Sequence, residues 1–313
     1  DTKTIVLITH KLKEIRAFTE IVSVMKNGKM VSQDLLTQKV SDNELINLMM
    51  GNVKKSQINK DNTIGDVKLD VINVSFKDPV NNIKKLSNVN LQIKSGEILG
   101  LAGVSGNGQV ELANIISGIE RTFEGKIIIN DNDISNKGVK SRKKLNLSYI
   151  PENRLGVGLA PGVSVIDNSI VRDYFQTKLG PHLSKNRSAK YLENLINQFS
   201  IKAPNPKAEI STLSGGNMQK LLIGRELVEN PDVIIAAQPT RGLDVNAVEG
   251  IHNLLIDQRN RGSAIFLISE DLDELFKLCH RLLVMYEGKV IKSFTTTDSD
   301  INSVGLAMAG INE

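Results

Sequence analysis

Short apolar runs separated by stretches of helical periodicity dominate most of this 313-residue chain. The compact runs Glu97–Ala102, Val233–Ala237 and Ala264–Ile268 are typical of strands that are buried on both faces. Further short strand-like runs lie at Lys126–Ile129 and Leu145–Ile150. Strands that alternate with helices in this way predict an α/β fold with a mainly parallel core sheet.

Two other regions have a different pattern. Apolar and polar residues alternate in Val67–Phe76 and Val89–Ile93, which predicts an antiparallel β patch. Residues 163–230 are richer in helical periodicity, so we expect an inserted helical subdomain in this part of the chain.

The two ends of the chain repeat one another. Residues 4–31 (TIVLITHKLKEIRAFTEIVSVMKNGKMV) align with residues 264–291 (AIFLISEDLDELFKLCHRLLVMYEGKVI) without a gap. Each copy has the pattern of a buried strand, a helix and a hairpin that turns at Asn27-Gly28 or Glu287-Gly288. Chance similarity between two strand–helix units is the alternative. The identities favour a true repeat; they include Ile5/Ile265, Leu7/Leu267, Leu12/Leu272, Val24/Val284 and Met25/Met285.

The repeat predicts two copies of one domain, with only the end of the first copy present. Residues 1–51 would be the C-terminal remnant of the first domain, and the chain would be a fragment of a longer protein. Residues 52–66 (NVKKSQINKDNTIGD) are polar and have no apolar period, so we expect a short flexible linker there. Residues 67–313 would form a complete second domain.

The composition narrows the functional classes. The single cysteine, Cys279, excludes an internal disulfide framework and a cysteine-based zinc cage, and favours a reduced, cytosolic setting. A net charge of +4, 4% aromatic residues and no Trp give little support to nucleic-acid binding. The longest apolar runs are far shorter than the ~20 residues of a membrane-spanning helix.

A glycine-rich turn lies between the strand Glu97–Ala102 and a helical pattern. Such a turn is the context of a phosphate-binding loop, because backbone N–H groups and the helix N-terminus converge on an anion. A phosphate-binding loop carries Lys and then Ser or Thr after its last glycine, but here Gln109 and Val110 occupy these positions. A turn that binds nothing is the alternative. The candidate phosphate-binding residues are Gly103, Ser105, Gly106, Asn107, Gly108, Gln109 and Val110.

The segment Leu213–Lys220 (LSGGNMQK) resembles the signature sequence of ABC ATPases. A Ser-Gly-Gly turn that only caps a helix is the alternative. The apolar strand that follows lies where this family has its Walker B motif, but Ala237 and Gln238 replace the Asp and Glu of the family. Gly242-Leu243-Asp244 matches the D-loop of the family.

Other positions also depart from a hydrolytic ABC site. Glu270 stands where the family has its switch histidine, whereas the first copy has His10 at this position. Glu152 lies near the position of the Q-loop glutamine. Ala237 cannot hold the water shell of Mg²⁺, and Gln238 cannot accept a proton from water. Together with Gln109, these departures predict a non-catalytic site in the second domain.

Four segments together make the resemblance more specific, namely GEILGLAGVSGNGQVEL, SYIPENRLGVGL, LSGGNMQK and AAQPTRGLDV. They resemble the second nucleotide-binding domain of the tandem ATPase subunit of bacterial sugar and nucleoside importers, in the branch that pairs with basic-membrane-lipoprotein-type receptors. The resemblance covers residues 1–51 and 67–313. It implies a P-loop NTPase fold of the ABC type, with ATP, and Mg²⁺ at the intact site, as cofactors.

The resemblance also implies a division of labour between two domains. In that family two such domains pair head to tail, and each ATP lies between the Walker motifs of one domain and the signature of the other. Ser214, Gly215 and Gly216 would therefore act in trans on the ATP of the first domain, together with the switch residue His10. Asp244 would bridge the two sites.

The second, degenerate site would use Gln109, Ala237 and Gln238, together with a signature from the missing part of the first domain, and Glu152 would lie close by. Phe76 is the candidate for the aromatic residue that stacks on adenine in this family; a core strand residue is the alternative. We interpret His182, His252 and His280 as ordinary surface or helix-face residues, and the basic segment Lys137–Lys144 as a solvated face.

The implied partners are the first nucleotide-binding domain of the same chain, transmembrane permease subunits and, indirectly, a substrate-binding lipoprotein. The implied location is the cytoplasmic face of the cell membrane, with no nucleic-acid partner. Two other classes stay open: a tandem ABC protein that acts on ribosomes or nucleic acid, and a nucleotide sensor without a permease. The short linker and the single cysteine count against ribosomal and DNA-repair members of the family.

Overall fold

A computed structural model describes most of the chain. The described residues are 3–8, 12–26, 29–41, 44–45, 48, 64–121, 123–172, 174, 178–179, 182–308 and 310. The chain divides into two compact units. The first contains residues 1–57 and Leu243–Glu249, and the second contains residues 58–242 and 250–313.

The first unit contains a small helix-and-hairpin cluster. Its elements are α1 (Leu12–Phe18), β1 (Ile21–Lys26) and β2 (Lys29–Leu36), and the two strands pair antiparallel. The buried side chains of Ile15, Val24 and Leu45 form its core. The helix–hairpin order expected from the repeat is therefore present, whereas the turn at Asn27-Gly28 lies outside the described residues.

The strand predicted at the start of the chain is not observed. Residues 3–8 have no regular secondary structure, and Ile5 and Ile8 are 86% and 95% exposed. The matching run in the second copy, Ala264–Ile268, lies inside a sheet and is buried. A strand of this type needs neighbouring strands to satisfy its backbone groups, and none of the described residues pairs with residues 3–8.

The described strands of the second unit are β3 (Val67–Lys77), β4 (Lys84–Lys94), β5 (Ile98–Ala102), β6 (Glu124–Ile129), β7 (Asn132–Asp133), β8 (Leu147–Ile150), β9 (Lys178–Leu179), β10 (His182–Leu183), β11 (Val233–Ala237), β12 (Ala264–Ile268), β13 (Arg281–Tyr286) and β14 (Lys289–Thr295).

The main sheet of the second unit has six strands, in the order β14-β13-β5-β12-β11-β8. Four of its pairings are parallel, and the pair β13–β14 is antiparallel. This arrangement confirms the predicted parallel core, and the strands β5, β11 and β12 are buried along their whole length. A second, four-stranded antiparallel sheet has the order β4-β3-β6-β7 and confirms the predicted β patch.

Helices flank the main sheet, and three of them fall within residues 163–230. Serine residues cap these three helices: Ser164, Ser184 and Ser214 each accept a hydrogen bond from a backbone N–H of the first turn. A short 3₁₀ turn, Ile210–Thr212, precedes the last of the three. The helices are α2 (Gln109–Ser117), α3 (Val139–Lys144), α4 (Val165–Ile170), α5 (Lys185–Phe199), α6 (Gly215–Leu227), α7 (Val245–Asn260), α8 (Leu272–Leu278) and α9 (Ile301–Met308).

One basic residue lies where a solvated face was expected. Arg142 in α3 is fully buried, although Lys140 and Lys144 beside it are exposed. Its guanidinium donates to the carbonyls of Ile115 and Ile116 at the end of α2, and further bonds reach carbonyls in residues 134–137. Burial, and secondarily the charge of Arg121, lowers the pKa of Arg142 to about 10. Arg142 therefore stabilises the C-terminal end of α2, where the helix carries partial negative charge.

Candidate nucleotide site

The glycine-rich turn lies where a phosphate-binding loop requires it. It leaves β5 at the carboxyl end of the strand and leads directly into α2. Gly106 and Gly108 have φ values of 89° and 108°, a left-handed region that side chains rarely adopt. A Cβ atom at Gly108 would lie 2.7 Å from the carbonyl oxygen of Lys85, so glycine is required on steric grounds as well.

The Gln109 side chain folds back onto the loop. Its Nε2 donates to the carbonyl of Val104 at 3.0 Å, and the residue is only 6% exposed. Asn107 Nδ2 donates to the same carbonyl at 3.0 Å. Gln109 therefore supplies no charge, and its Nε2 donor is bonded within the loop. A lysine at this position would instead direct a cation towards a phosphate.

The hairpin between β13 and β14 holds the other side of the loop. Asn107 accepts hydrogen bonds from the backbone N–H groups of Glu287, through Oδ1 at 2.8 Å, and Gly288, through its carbonyl at 2.9 Å. The carbonyl of Gly288 in turn accepts from the N–H of Ser87 at 2.9 Å. The loop is thus bonded to the hairpin between β13 and β14, and this hairpin is bonded in turn to β4.

The first turn of α2 offers no metal ligand of the expected kind. Val110 is 43% exposed and carries no hydroxyl. Glu111 is the acidic residue of this turn, and its carboxylate lies 3.9 Å from Lys85 Nζ. The pair is partly exposed, so its contribution to stability is small.

The end of β11 likewise lacks the groups of a hydrolytic site. Ala237 is 2% exposed, so this position presents only a buried methyl group. Gln238 has a φ of 48°, which is uncommon for a residue with a side chain. Its N–H donates to the carbonyl of Ile268 at 2.8 Å, and its Oε1 accepts from the N–H of Glu270 at 3.5 Å. Glu270 follows β12 in the chain, and β12 lies between β5 and β11 in the sheet. Glu270 is therefore at the edge of the sheet where the carboxyl ends of these three parallel strands lie.

The turn Gln238–Arg241 is bonded to several elements at once. The carbonyl of Pro239 accepts from Gln219 Nε2 in α6 at 2.7 Å. The hydroxyl of Thr240 donates to Glu274 Oε1 in α8 at 2.8 Å. The guanidinium of Arg241 pairs with Glu152 in the loop after β8. This turn therefore connects the end of β11 to three separate parts of the unit.

Arg154 closes the network around Glu152. Its Nε donates to Gln219 Oε1 at 2.6 Å, and its Nη2 donates to the carbonyl of Arg241 at 3.1 Å. Burial lowers the pKa of Arg154. Glu152, proposed from sequence as the residue near the Q-loop position, is thus an ion-pair partner of Arg241 in this structure.

The signature segment begins a helix. Ser214 caps α6, and its Oγ accepts from Asn217 N at 3.4 Å and from Asn217 Nδ2 at 2.8 Å. Ser214 is exposed, and Gly215 and Gly216 form the first turn. No hydrogen bond in the described part of the chain joins this turn to the loop 103–108.

Asp244 caps the next helix, α7. Its Oδ1 accepts from the N–H of Ala247 at 3.1 Å, and its carbonyl accepts from the N–H of Val248 at 3.0 Å. The side chain is exposed. Its observed role is therefore the capping of α7.

Two residues named from sequence are buried. Phe76 is 6% exposed within the main core, the position that the core-strand alternative describes. His252 lies on α7, as the helix-face interpretation expects, but it is 4% exposed and bonded to Glu274. His10 and the residues around it lie outside the described residues.

Sequence reasoning missed three polar residues that organise the site. Arg154, Gln219 and Glu274 each bond to the segment Gln238–Arg241 or to its partners. The only sequence signal was their proximity to recognised motifs: Arg154 follows Glu152, Gln219 belongs to LSGGNMQK, and Glu274 lies four residues after Glu270.

A parallel sheet with a glycine-rich loop at the end of β5 and a capped Ser-Gly-Gly turn defines an ABC-type P-loop NTPase domain. Solved structures share this fold. A nucleotide-free ATP-binding cassette from an ABC transporter matches with a TM-score of 0.64 and 20% identity, over 79% of this chain and all of that one. A dimeric ATP-binding cassette in a post-hydrolysis state, bound to ADP and inorganic phosphate, matches with a TM-score of 0.62 and 24% identity, over 73% of this chain and 98% of that one.

Sequence comparison gives the family. Residues 86–241 match the family model described as ABC transporter, so the chain carries an ATP-binding domain of this family. The glucose import ATP-binding protein TsgD13 of Haloferax volcanii is 36% identical over 98% of this chain and 56% of its own length. The corresponding values are 34%, 99% and 62% for the nucleoside import protein NupA of Lactococcus lactis, and 36%, 92% and 57% for the guanosine import protein NupO of Bacillus subtilis. The chain thus spans about three fifths of the length of these relatives. Among its described residues, no helix combines the length and apolar character needed to cross a bilayer.

Proposed function

We propose that this chain is part of the ATP-binding subunit of an importer for a simple sugar or a nucleoside. The observation that carries the proposal is the identity of 34–36% to proteins named for glucose, nucleoside and guanosine import, over 92–99% of the chain. The partners would be permease subunits at the cytoplasmic face of the membrane and, through them, a substrate-binding lipoprotein. The solute would be recognised by these partners, because the described residues contain no feature that distinguishes a sugar from a nucleoside.

The domain of residues 67–313 would act as the second of two paired domains in the same polypeptide. The ungapped repeat between residues 4–31 and 264–291 supports this arrangement. Ser214, Gly215 and Gly216 would then contact the ATP held by the first domain. A capped helix N-terminus with an exposed hydroxyl is suited to stabilising charge on a transferring phosphoryl group.

The site formed by this domain's own loop would be non-catalytic. The charge of a P-loop lysine is absent, because Gln109 is bonded to Val104. The buried methyl group of Ala237 and the isopropyl group of Val110 offer no oxygen to a magnesium ion, so these residues do not fit Mg²⁺. Gln238 cannot act as a general base towards water. Backbone N–H groups of the loop could still hold the phosphates of ATP without hydrolysis.

Uptake measurements test the importer proposal. Deletion of the gene should abolish the uptake of one labelled sugar or nucleoside, and the intact gene should restore it. A reference solute carried by an unrelated transporter serves as the control. Normal uptake of every sugar and nucleoside tested, together with a ribosomal or DNA-repair defect, would show that the alternative class is correct.

Hydrolysis measurements test the assignment of the non-catalytic site. The purified chain should hydrolyse ATP at a negligible rate with Mg²⁺ present. Robust Mg²⁺-dependent turnover that the substitution Gln109→Ala abolishes would contradict the proposal.

A further inference from the structure

The buried carboxylate of Glu274 is bonded to residues on both sides of the loop Arg241–Asp244. Glu274 Oε1 accepts one hydrogen bond from Thr240 Oγ1 and one from His252 Nε2, both at 2.8 Å. Thr240 lies just before the loop Arg241–Asp244, and His252 lies on α7, the helix that follows it. One carboxylate oxygen therefore holds the chain on both sides of the loop.

The protonation states in this cluster follow from its chemistry. Burial raises the pKa of the Glu274 carboxyl, but hydrogen bonds from His252, Ser269 and Thr240 outweigh burial and hold the pKa below its usual range. An ionised carboxylate only accepts hydrogen bonds, so His252 Nε2 carries the proton. In the described part of the chain, His252 Nδ1 has no hydrogen-bond partner. Among the described residues, the bond to Glu274 is therefore the one hydrogen bond that orients this ring.

The same carboxylate belongs to the helix after Glu270. Glu274 lies in the first turn of α8, and its N–H donates to the capping residue Asp271 at 3.3 Å. Both Glu274 and His252 are 4% exposed, so water does not compete for these bonds. A shift of α8 would accordingly displace Thr240 and His252 together.

We propose that Glu274 is a positioning residue that fixes the loop Arg241–Asp244 through Thr240 and His252. The loop would be held in the conformation in which Asp244 caps α7. The consequence for hydrolysis rests on the proposed function, because only there does the loop take part at the ATP site of a paired domain.

Amide hydrogen exchange of the intact chain tests the positioning role directly. Thr240→Val removes the hydroxyl at nearly constant shape, whereas Thr240→Ser keeps it. The amides of Ala247 and Val248, which bond to Asp244, should exchange at least tenfold faster in Thr240→Val and within twofold of the native rate in Thr240→Ser. His252→Phe is the second variant and should accelerate the same amides.

The remaining outcomes also decide the question. The amides of α6 serve as an internal reference, and their rates should not change. Native rates at Ala247 and Val248 in both Thr240→Val and His252→Phe would overturn the proposal. Equal acceleration in α6 would also overturn it, because the cluster would then support only overall stability.

Turnover of the protein assembled with its permease separates this inference from the proposed function. Thr240→Val should lower kcat at least tenfold with little change in KM for ATP, and Thr240→Ser should restore kcat. Faster exchange at Ala247 and Val248 with unchanged kcat would leave the positioning role in place and refute the loop's part in the paired ATP site.

Discussion

The helices that begin at Gln109 and Gly215 both have glycines at their N-terminal ends, but their capping residues and the polar side chains there are arranged in opposite ways. At the start of α2, the capping residue Gly108 has no side chain, and the Gln109 amide turns back to Val104. At the start of α6, Ser214 caps the helix with an exposed hydroxyl. The polar side chain at the start of α2 is bonded within its own loop, whereas the hydroxyl at the start of α6 lies at the surface.

The comparison shows that a glycine-rich turn alone does not fix the side-chain chemistry that a helix N-terminus presents. Both turns supply a helix N-terminus with partial positive charge. They differ in the side chains that follow the last glycine and in where these side chains donate. The loop before α2 therefore has the glycine conformations of a phosphate-binding loop without a charged side chain after its last glycine.

The largest expected effect is at Ser214, the capping residue of α6. Ser214→Arg should lower ATP turnover of the assembled protein by roughly 100- to 1,000-fold, as expected for removal of a donor to developing charge. The loss of the helix cap should cost only about 1 kcal/mol of stability, so the domain should stay folded. Turnover measured beside circular dichroism checks both parts.

A matched variant separates the two roles of Ser214. Ser214→Asp keeps an N-cap acceptor but places an anion where a phosphate would lie, so turnover should also be lost. Near-native turnover in Ser214→Asp would show that Ser214 acts only as a cap.

The next effect concerns the far end of α2. Arg142→Met leaves the carbonyls of Ile115, Ile116 and Ile134 without their buried donor, so the free energy of unfolding should fall by about 3 kcal/mol or more. The exposed Lys144→Met variant should change it by less than about 0.5 kcal/mol. Urea denaturation of both variants gives the comparison, and equal effects would argue against the capping role of Arg142.

A smaller effect should appear at Gln109, the first residue of α2. Gln109→Lys restores a cation where a phosphate would bind, and a charge-assisted hydrogen bond contributes roughly 1.5–3 kcal/mol. Nucleotide affinity should therefore rise by roughly tenfold or more, as measured by fluorescence titration. Turnover should stay negligible because Ala237 and Gln238 are unchanged. Restored hydrolysis by this single substitution would show that these two positions are not limiting.

The smallest effect is a pH dependence near α2. Burial, and then the charge of Glu152, raises the pKa of Tyr149 to about 12, and its hydroxyl donates to Asn114 in α2 at 3.2 Å. The unfolded chain releases this proton near pH 10. The free energy of unfolding should thus fall as pH rises from 10 to 12, by about 1.4 kcal/mol per pH unit from this group.

The substitution Tyr149→Phe should remove that part of the slope. Denaturation at pH 8 and pH 11 checks the prediction, since the free energy of unfolding of the native chain, minus that of the variant, should fall by about 1.4 kcal/mol between these two pH values. An unchanged difference would contradict the assignment.

The apolar pattern was sufficient to predict the two sheets. Runs such as Val233–Ala237 are buried on both faces, so their hydrophobicity reflects their position in the sheet. The same rule failed for residues 3–8, because a strand depends on partners as well as on its own sequence. Burial of an aromatic residue is equally context-dependent, and the sequence alone did not place Phe76 in the core.

The identity of the site residues was readable from the sequence, but their contacts were not. Gln109, Ala237 and Gln238 were recognised as departures by residue type. The bond from Gln109 to Val104 and the burial of Arg142 depend on how the chain packs. The bond between His252 and Glu274 joins two helices, and no local pattern encodes it.

The buried methyl group of Ala237 also limits how this domain can evolve. An aspartate here would place a carboxylate at a position that is 2% exposed. An unpaired buried charge is costly, so this substitution alone would weaken the fold. Such a change would be accepted during evolution only together with other substitutions that supply the carboxylate with a partner.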